Sequence, residues 1–245
     1  MHLSAIEQME TISGKRIVIT GATSGIGRST TLELLRQGAN VAFCGRSEDK
    51  MNNLVAEIAL MKTGVIYPKA FDITQEAEIK LFILEAKKKL GGIDILINCA
   101  GANPAKNLVE DIKTEDLEYM LKVNFIAPFI FIKEVIKDMR ARQSGLILNI
   151  LSSSCLYSSE GVGAYSSSKS GFDALTKILR KEVRKDHIGV CSIYPGGVDT
   201  PFRKNERPDY LKTDDVVNAI THVIQAGPGI AYDELVFRPF VENNL

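Results

Sequence analysis

The chain has 245 residues, 45% hydrophobic and 24% charged, proportions that suit one globular α/β domain rather than two. Its 30 Lys and Arg balance its 30 Asp and Glu, so charge gives no reason to expect nucleic acid or an anionic membrane as partner. No apolar run reaches the roughly 18 residues of a membrane span, and residues 1–15 lack the apolar stretch of a secretory signal, so a cytoplasmic protein acting on a small molecule is expected.

In chain order, residues 15–20 (KRIVIT) form a β-branched run that ends at a glycine, and from 25 to 37 apolar residues recur at helical spacing until Gly38 stops them. A strand is predicted over 40–44, a helix over 49–62, a strand over 65–71 and a helix over 75–90 that ends at Gly91-Gly92. Residues 94–99 (DILINC), 146–151 (LILNIL) and 189–194 (GVCSIY) are nearly continuous apolar runs, as parallel strands covered on both faces require. Long helices are predicted over 115–142 and 164–185, a loop rich in Pro and charge over 200–213, and a last strand over 234–238. This alternation predicts an α/β fold: a single-domain, Rossmann-type doubly wound sheet of about seven mostly parallel strands with helices on both faces. Its ligand is expected where the winding direction reverses. The domain is expected to span 14–245, after a disordered extension over 1–13.

The four cysteines stand singly, three of them in strand-like apolar runs, and His2, His187 and His222 show no ligand spacing. No disulfide and no metal site is expected.

The turn Thr20-Gly21-Ala22-Thr23-Ser24-Gly25-Ile26-Gly27 lies between the first strand and the first helix, the context in which a glycine pattern has meaning. Gly21 permits the tight turn, Gly25 admits a pyrophosphate to the backbone, and Gly27 allows close helix packing. The helix N-terminus then offers free N–H groups, including those near Thr23, Ser24 and Ile26, and the positive dipole end. A Walker A loop fails here, because its first glycine would fall on Ala22 and its lysine on Arg28. At the end of the second strand stands Cys44-Gly45-Arg46, with no acid to accept a ribose 2′-OH. An Arg there pairs with the 2′-phosphate of NADP(H), and an acid placed at Gly45 together with Arg46→Val is expected to reverse the choice.

The ordered set TGATSGIG, Asp72 in FDIT, NCAG at residues 98–101, Asn124, a serine, Tyr165 and Lys169 in a YxxxK pair, and PGG at residues 195–197 resembles the short-chain dehydrogenase/reductase family over roughly residues 15–200. The resemblance implies a hydride-transferring enzyme with the tetrad Asn124, Ser152, Tyr165 and Lys169. It implies that Asn124 holds a water in a proton relay behind Lys169, that Lys169 bonds the nicotinamide ribose, and that Asp72 meets the adenine end. Asn98, Ala100 and Gly101 would hold the strand end beside the cofactor, and Pro195, Gly196, Val198 and Thr200 would complete its site. The family also pairs the helices at 115–142 and 164–185 across a two-fold axis, which implies a homodimer or homotetramer; Phe125, Phe129, Ile132 and Phe172 would serve that contact or the core.

The residue types support the chemistry by themselves. Tyr165 and Lys169, four apart in a helical segment, lie on one helix face. A free tyrosine has a pKa of about 10, and a neighbouring ammonium is expected to lower it. Tyr165 would then act as general acid in carbonyl reduction and base in alcohol oxidation. Ser152, at the end of LILNIL, would hydrogen-bond the substrate oxygen. By analogy Ser154, Cys155, Leu156, Tyr157, Val162 and Gly196 line the substrate pocket, a mostly apolar set that suits a carbonyl or alcohol with hydrophobic bulk.

Two departures from the family stand out: Cys99 in the second place of an otherwise NNAG-like segment, and a short loop after Thr200 with the ending ELVFRPFVENNL. They put in doubt the packing beside the cofactor and the substrate lid. A non-catalytic dinucleotide sensor is disfavoured by the intact Ser152, Tyr165 and Lys169. A serine hydrolase is disfavoured because GxSxG is missing.

Overall fold

The computed structural model describes residues 10–203, 205–226 and 229–242. Seven strands form one sheet: β1 (Arg16–Thr20), β2 (Asn40–Gly45), β3 (Ile66–Ala70), β4 (Ile95–Asn98), β5 (Gly145–Ile150), β6 (Ile188–Pro195) and β7 (Glu234–Phe237). Their spatial order is β3-β2-β1-β4-β5-β6-β7, and each adjacent pair is parallel. The chain winds outward from β1 to β3 and then returns to place β4 on the other side of β1, so the winding reverses between β1 and β4.

Side-chain alternation divides the strands between two cores. Ile17, Ile19, Val41, Phe43, Ile95 and Ile97 face one layer of helices, α1 (Gly25–Arg36), α2 (Glu48–Ile58) and α7 (Thr213–Ile224), which contribute Leu34, Leu54 and Ile220. Val18, Ala42, Leu96, Ile147 and Val190 face the other layer, α3 (Glu76–Leu90), α5 (Ala127–Arg142) and α6 (Gly163–Val183), which contribute Phe82, Phe131 and Phe172. Both faces of the sheet are covered, which is why its strands read as unbroken apolar runs. Gly91, in the left-handed conformation at φ 77°, ends α3 where the glycine pair predicted a stop.

Of the extension expected over 1–13, residues 1–9 lie outside the described residues. Ile12 is buried against the α1 layer, the Glu10 amide donates to the Gln225 carbonyl at 3.1 Å, and Lys15 pairs with Glu10 at 2.6 Å. The packed chain therefore begins before Gly14.

The single helix expected over 115–142 is two helices. A π-helical turn, Lys122–Ile126, joins α4 (Thr114–Leu121) to α5. Pro128 lacks the N–H that would carry the α pattern through this point, and the wider turn carries Asn124, which is buried.

Candidate active site

At the carboxyl ends of the strands, over the reversal between β1 and β4, lies a cleft of about 1170 Å³. That exceeds the roughly 300–1,000 Å³ of a pocket for one drug-sized molecule and suits a dinucleotide with a second small molecule. Every catalytic and cofactor residue expected from the sequence lines it except Asn98 and Asn124.

One end of the cleft is the glycine turn. Gly21 has φ 73°, and a Cβ there would lie 2.8 Å from the Ala100 Cα; the turn after β1 and the end of β4 are that close. A Cβ at Gly27 would drive into the Gly21 carbonyl. Ser24, the residue before α1, makes no side-chain cap, so the first-turn amides keep their hydrogens for a ligand. Thr20 accepts from the Cys99 and Ala100 amides at 3.1 and 3.0 Å and holds the two loops in register.

Arg46 follows β2 and is exposed, its Nη1 donating to the Tyr119 hydroxyl at 2.8 Å. Lys50, from the first turn of α2, lines the same end, as does Asp72, whose carboxylate accepts the Thr74 amide at 2.9 Å. Lys50 and Tyr119 carry no motif, and only the fold brings them to Arg46.

The opposite wall carries Ser152, Tyr165 and Lys169. Ser152 ends the β5 run and takes hydrogen bonds from the Ser154 amide at 3.2 Å and the Ser154 hydroxyl at 3.0 Å, and it lines the same cleft as the Tyr165 phenol. Tyr165 and Lys169 both project from α6 into the cleft, as their four-residue spacing requires. The expected lowering of the Tyr165 pKa is corrected: burial pushes the phenol up to about 12, Ser152 and Arg203 only partly opposing it. Lys169 is committed elsewhere, its Nζ donating to the Ile150 carbonyl at 2.9 Å, and burial holds its own pKa below the usual lysine range. In this state the tyrosine is a protonated acid.

Behind this wall, Asn124 accepts the Ala102 amide at 2.8 Å and donates to the Ala102 carbonyl at 2.8 Å and the Ser168 hydroxyl at 2.9 Å. Its side chain clamps the loop after β4 to α6. Asn98 turns away from the cleft and donates to Asn149 at 2.9 Å, which in turn donates to Thr176 at 3.0 Å. This buried relay ties β4 and β5 to α6. Ser168 lies three residues after Tyr165, on the same helix side, and could have been found from that spacing; Thr20, Asn149 and Thr176 had no comparable signal.

The pocket beyond Tyr165 differs from the apolar set expected. Ser154, Tyr157, Val162 and Gly196 line it, Cys155 and Leu156 do not, and Arg203, Arg207, Lys106 and Glu160 bring charge to it.

The family described as short chain dehydrogenase matches residues 15–211. An uncharacterised oxidoreductase of Staphylococcus saprophyticus is 32% identical over 234 residues, covering 94% of this chain and 100% of that protein. A D-beta-hydroxybutyrate dehydrogenase of Rhizobium meliloti is 34% identical over 200 residues, 81% of this chain and 77% of its own length. Among solved structures, levodione reductase superposes with a TM-score of 0.85 at 20% identity, over 93% of this chain and 97% of its own. An alcohol dehydrogenase from Thermococcus sibiricus, complexed with 5-hydroxy-NADP, superposes at 0.84 and 22% identity, over 93% and 98%; likenesses at these identities speak to the fold. Because the family match runs from the start of β1 to the loop beyond Thr200, the chain belongs to the short-chain dehydrogenase family, oxidoreductases that move a hydride between a nicotinamide dinucleotide and a carbonyl or alcohol group.

Proposed function

We propose that this protein is an NADP(H)-dependent oxidoreductase that interconverts a small carbonyl compound and its alcohol, with Tyr165 as the group that transfers the proton. The observation that carries the reading is the placement of Tyr165, together with Ser152 and Lys169, in the same cleft as an uncapped glycine turn. The turn fits a pyrophosphate: the amides of the first turn of α1 are uncapped, and there is no side chain at Gly21, Gly25 or Gly27. Arg46 and Lys50 fit a 2′-phosphate, and Asp72 lies on the adenine side. Bound there, the dinucleotide supplies or accepts the hydride. Lys169 and Tyr165 would hold its ribose, while Ala100, Gly101, Pro195, Val198 and Thr200 flank the same path.

For carbonyl reduction the protonation state suits the task. A phenol held up to about 12 keeps its proton until a substrate oxygen gains charge. Ser152 steadies that oxygen by hydrogen bonding. In alcohol oxidation Tyr165 must accept the proton, and the Lys169 ammonium, released from the Ile150 carbonyl, would favour the phenolate. Asn124 fixes the Ala102 loop against α6 and so sets where Lys169 stands.

NADPH oxidation followed against a panel of ketones and aldehydes tests the reading. Tyr165→Phe should lower turnover by roughly 10² to 10⁴, the range for a general acid–base group, with NADPH still bound. Substantial turnover in a folded Tyr165→Phe protein would refute the assignment.

A homodimer or homotetramer goes with this reading. Ile132 and Phe172 belong to the core, but Ile126 beside α5 and Ile178 on α6 are 45% and 56% exposed, and Phe125 and Phe129 are partly buried. A monomeric mass by light scattering at micromolar concentration would overturn it. The four free cysteines suit a reducing cytoplasm, and no helix among the described residues is long and apolar enough to cross a membrane.

A further inference from the structure

The loop after Thr200 reaches the mouth of the cleft. That loop folds over the catalytic tyrosine, with the Phe202 ring centroid 6.1 Å from that of Tyr165. The next residue, Arg203, lines the cleft and is partly buried. Its guanidinium carbon lies 4.8 Å from the Tyr210 ring centroid, and its Nε is buried with no hydrogen-bond partner. Among the described residues, no carboxylate comes within ion-pair distance of it. A cation half withdrawn from water and left unpaired is unfavourable until an anion reaches it.

The neighbouring charges are accounted for differently. Arg207 packs on the same Tyr210 ring at 4.2 Å, but its Nε pairs with Asp209 at 3.5 Å and its amide donates to Asp199 at 3.0 Å. Glu242 faces the cleft with its carboxylate held by the Gly197 amide at 2.8 Å and by Arg238 at 3.2 Å. Lys106 and Glu160 are exposed at the rim. Among the described residues, Arg203 is thus the cation beside Tyr165 that has no counter-ion. Its charge is near enough to bear on the phenol, where it opposes the effect of burial.

We propose that Arg203 is a specificity residue that binds a carboxylate of the substrate, so that the protein acts on an oxo acid or hydroxy acid in preference to a neutral carbonyl compound. This rests on the oxidoreductase reading of the same cleft. A single guanidinium fork matches the two oxygens of a carboxylate, whereas a phosphate ester would call for further cations at the same place.

The test compares 3-oxobutanoate with its methyl ester, which differ in charge and little else, as substrates of the full-length protein with NADPH. Wild type should prefer the acid by about tenfold or more in kcat/KM, the lower end of what one charge-assisted hydrogen bond contributes. Arg203→Met should erase that preference through KM for the acid, and Arg203→Lys should keep part of it. Equal use of acid and ester by wild type would overturn the proposal, as would a parallel fall for both in Arg203→Met, which would make Arg203 a prop of the loop. Weaker NADPH binding in Arg203→Met would reassign the residue to the dinucleotide and overturn it as well. If neither compound is turned over, calorimetric titration of 3-oxobutanoate into the NADPH-loaded protein decides. Binding that Arg203→Met abolishes keeps the carboxylate site while the oxidoreductase reading fails; no binding, or tighter binding of a phosphate ester than of the acid, overturns the site itself.

Discussion

On the reading proposed above, Arg46 sets the choice of dinucleotide, and replacing it with Ala should weaken NADPH relative to NADH. A charge-assisted hydrogen bond to a 2′-phosphate contributes about 1.5–3 kcal/mol. Against this stands the bond that Nη1 already makes to the Tyr119 hydroxyl at 2.8 Å; giving it up costs about 0.5–1.5 kcal/mol. The net is about 1.5 kcal/mol, or roughly tenfold in affinity. Arg46 is exposed, so screening should shrink the preference as salt rises, the Debye length falling from about 10 Å at 0.1 M to about 3 Å at 1 M. Lys50 lines the same end of the cleft, so Arg46→Ala should leave a remnant that the double change with Lys50→Ala removes. The reversal expected from an acid at Gly45 requires the Thr23 side chain to move, because a Cβ there would lie 2.5 Å from the Thr23 Cγ2 and 2.6 Å from its Oγ1; Arg46→Asp is the companion variant that does not place a Cβ at Gly45. Titration of intrinsic or NAD(P)H fluorescence at low and high salt measures all of this. Equal affinity of wild type for NADH and NADPH at low salt, or a ratio untouched by Arg46→Ala, would refute the reasoning and leave Arg46 a solvated partner of Tyr119.

Two further outcomes are expected. The Tyr165 pKa is raised from its unfolded value of about 10 to about 12, so this group's contribution to stability is complete below pH 10 and is lost as pH climbs through 12. The phenolate absorbance of wild type minus that of Tyr165→Phe, without cofactor, should therefore stay flat through neutral pH and rise only above about pH 10; ionisation near pH 7 would contradict the burial argument. Thr20→Val removes the acceptor of the Cys99 and Ala100 amides, which should cost about 1–3 kcal/mol and lower Tm by about 2–4 °C for each kcal/mol in a chain of this size; an unchanged calorimetric Tm would show that those amides find another partner.

The sequence by itself determined the strands and most helices, though not the π-helical break at residues 122–126, since near-continuous apolar runs such as LILNIL mark strands covered on both faces, and the turn TGATSGIG together with the four-residue step from Tyr165 to Lys169 are local patterns. These patterns live within one or two turns of chain, so they survive without tertiary knowledge. Tertiary structure alone decided which groups answer them. Thr20 reaches amides 79 and 80 residues away, and Asn98 pairs with Asn149 across 51 residues, contacts that parallel crossovers create and no window along the chain contains. The pKa of Tyr165 was beyond the sequence for the same reason: spacing puts an ammonium near the phenol, but only the fold half-buries the tyrosine and directs the Lys169 ammonium to the Ile150 carbonyl. Arg203 stood in a segment whose composition said only that it was a loop. Closing that loop over Tyr165 left a partly buried guanidinium with no partner for its Nε among the described residues, because desolvation is a property of position in space and not of sequence.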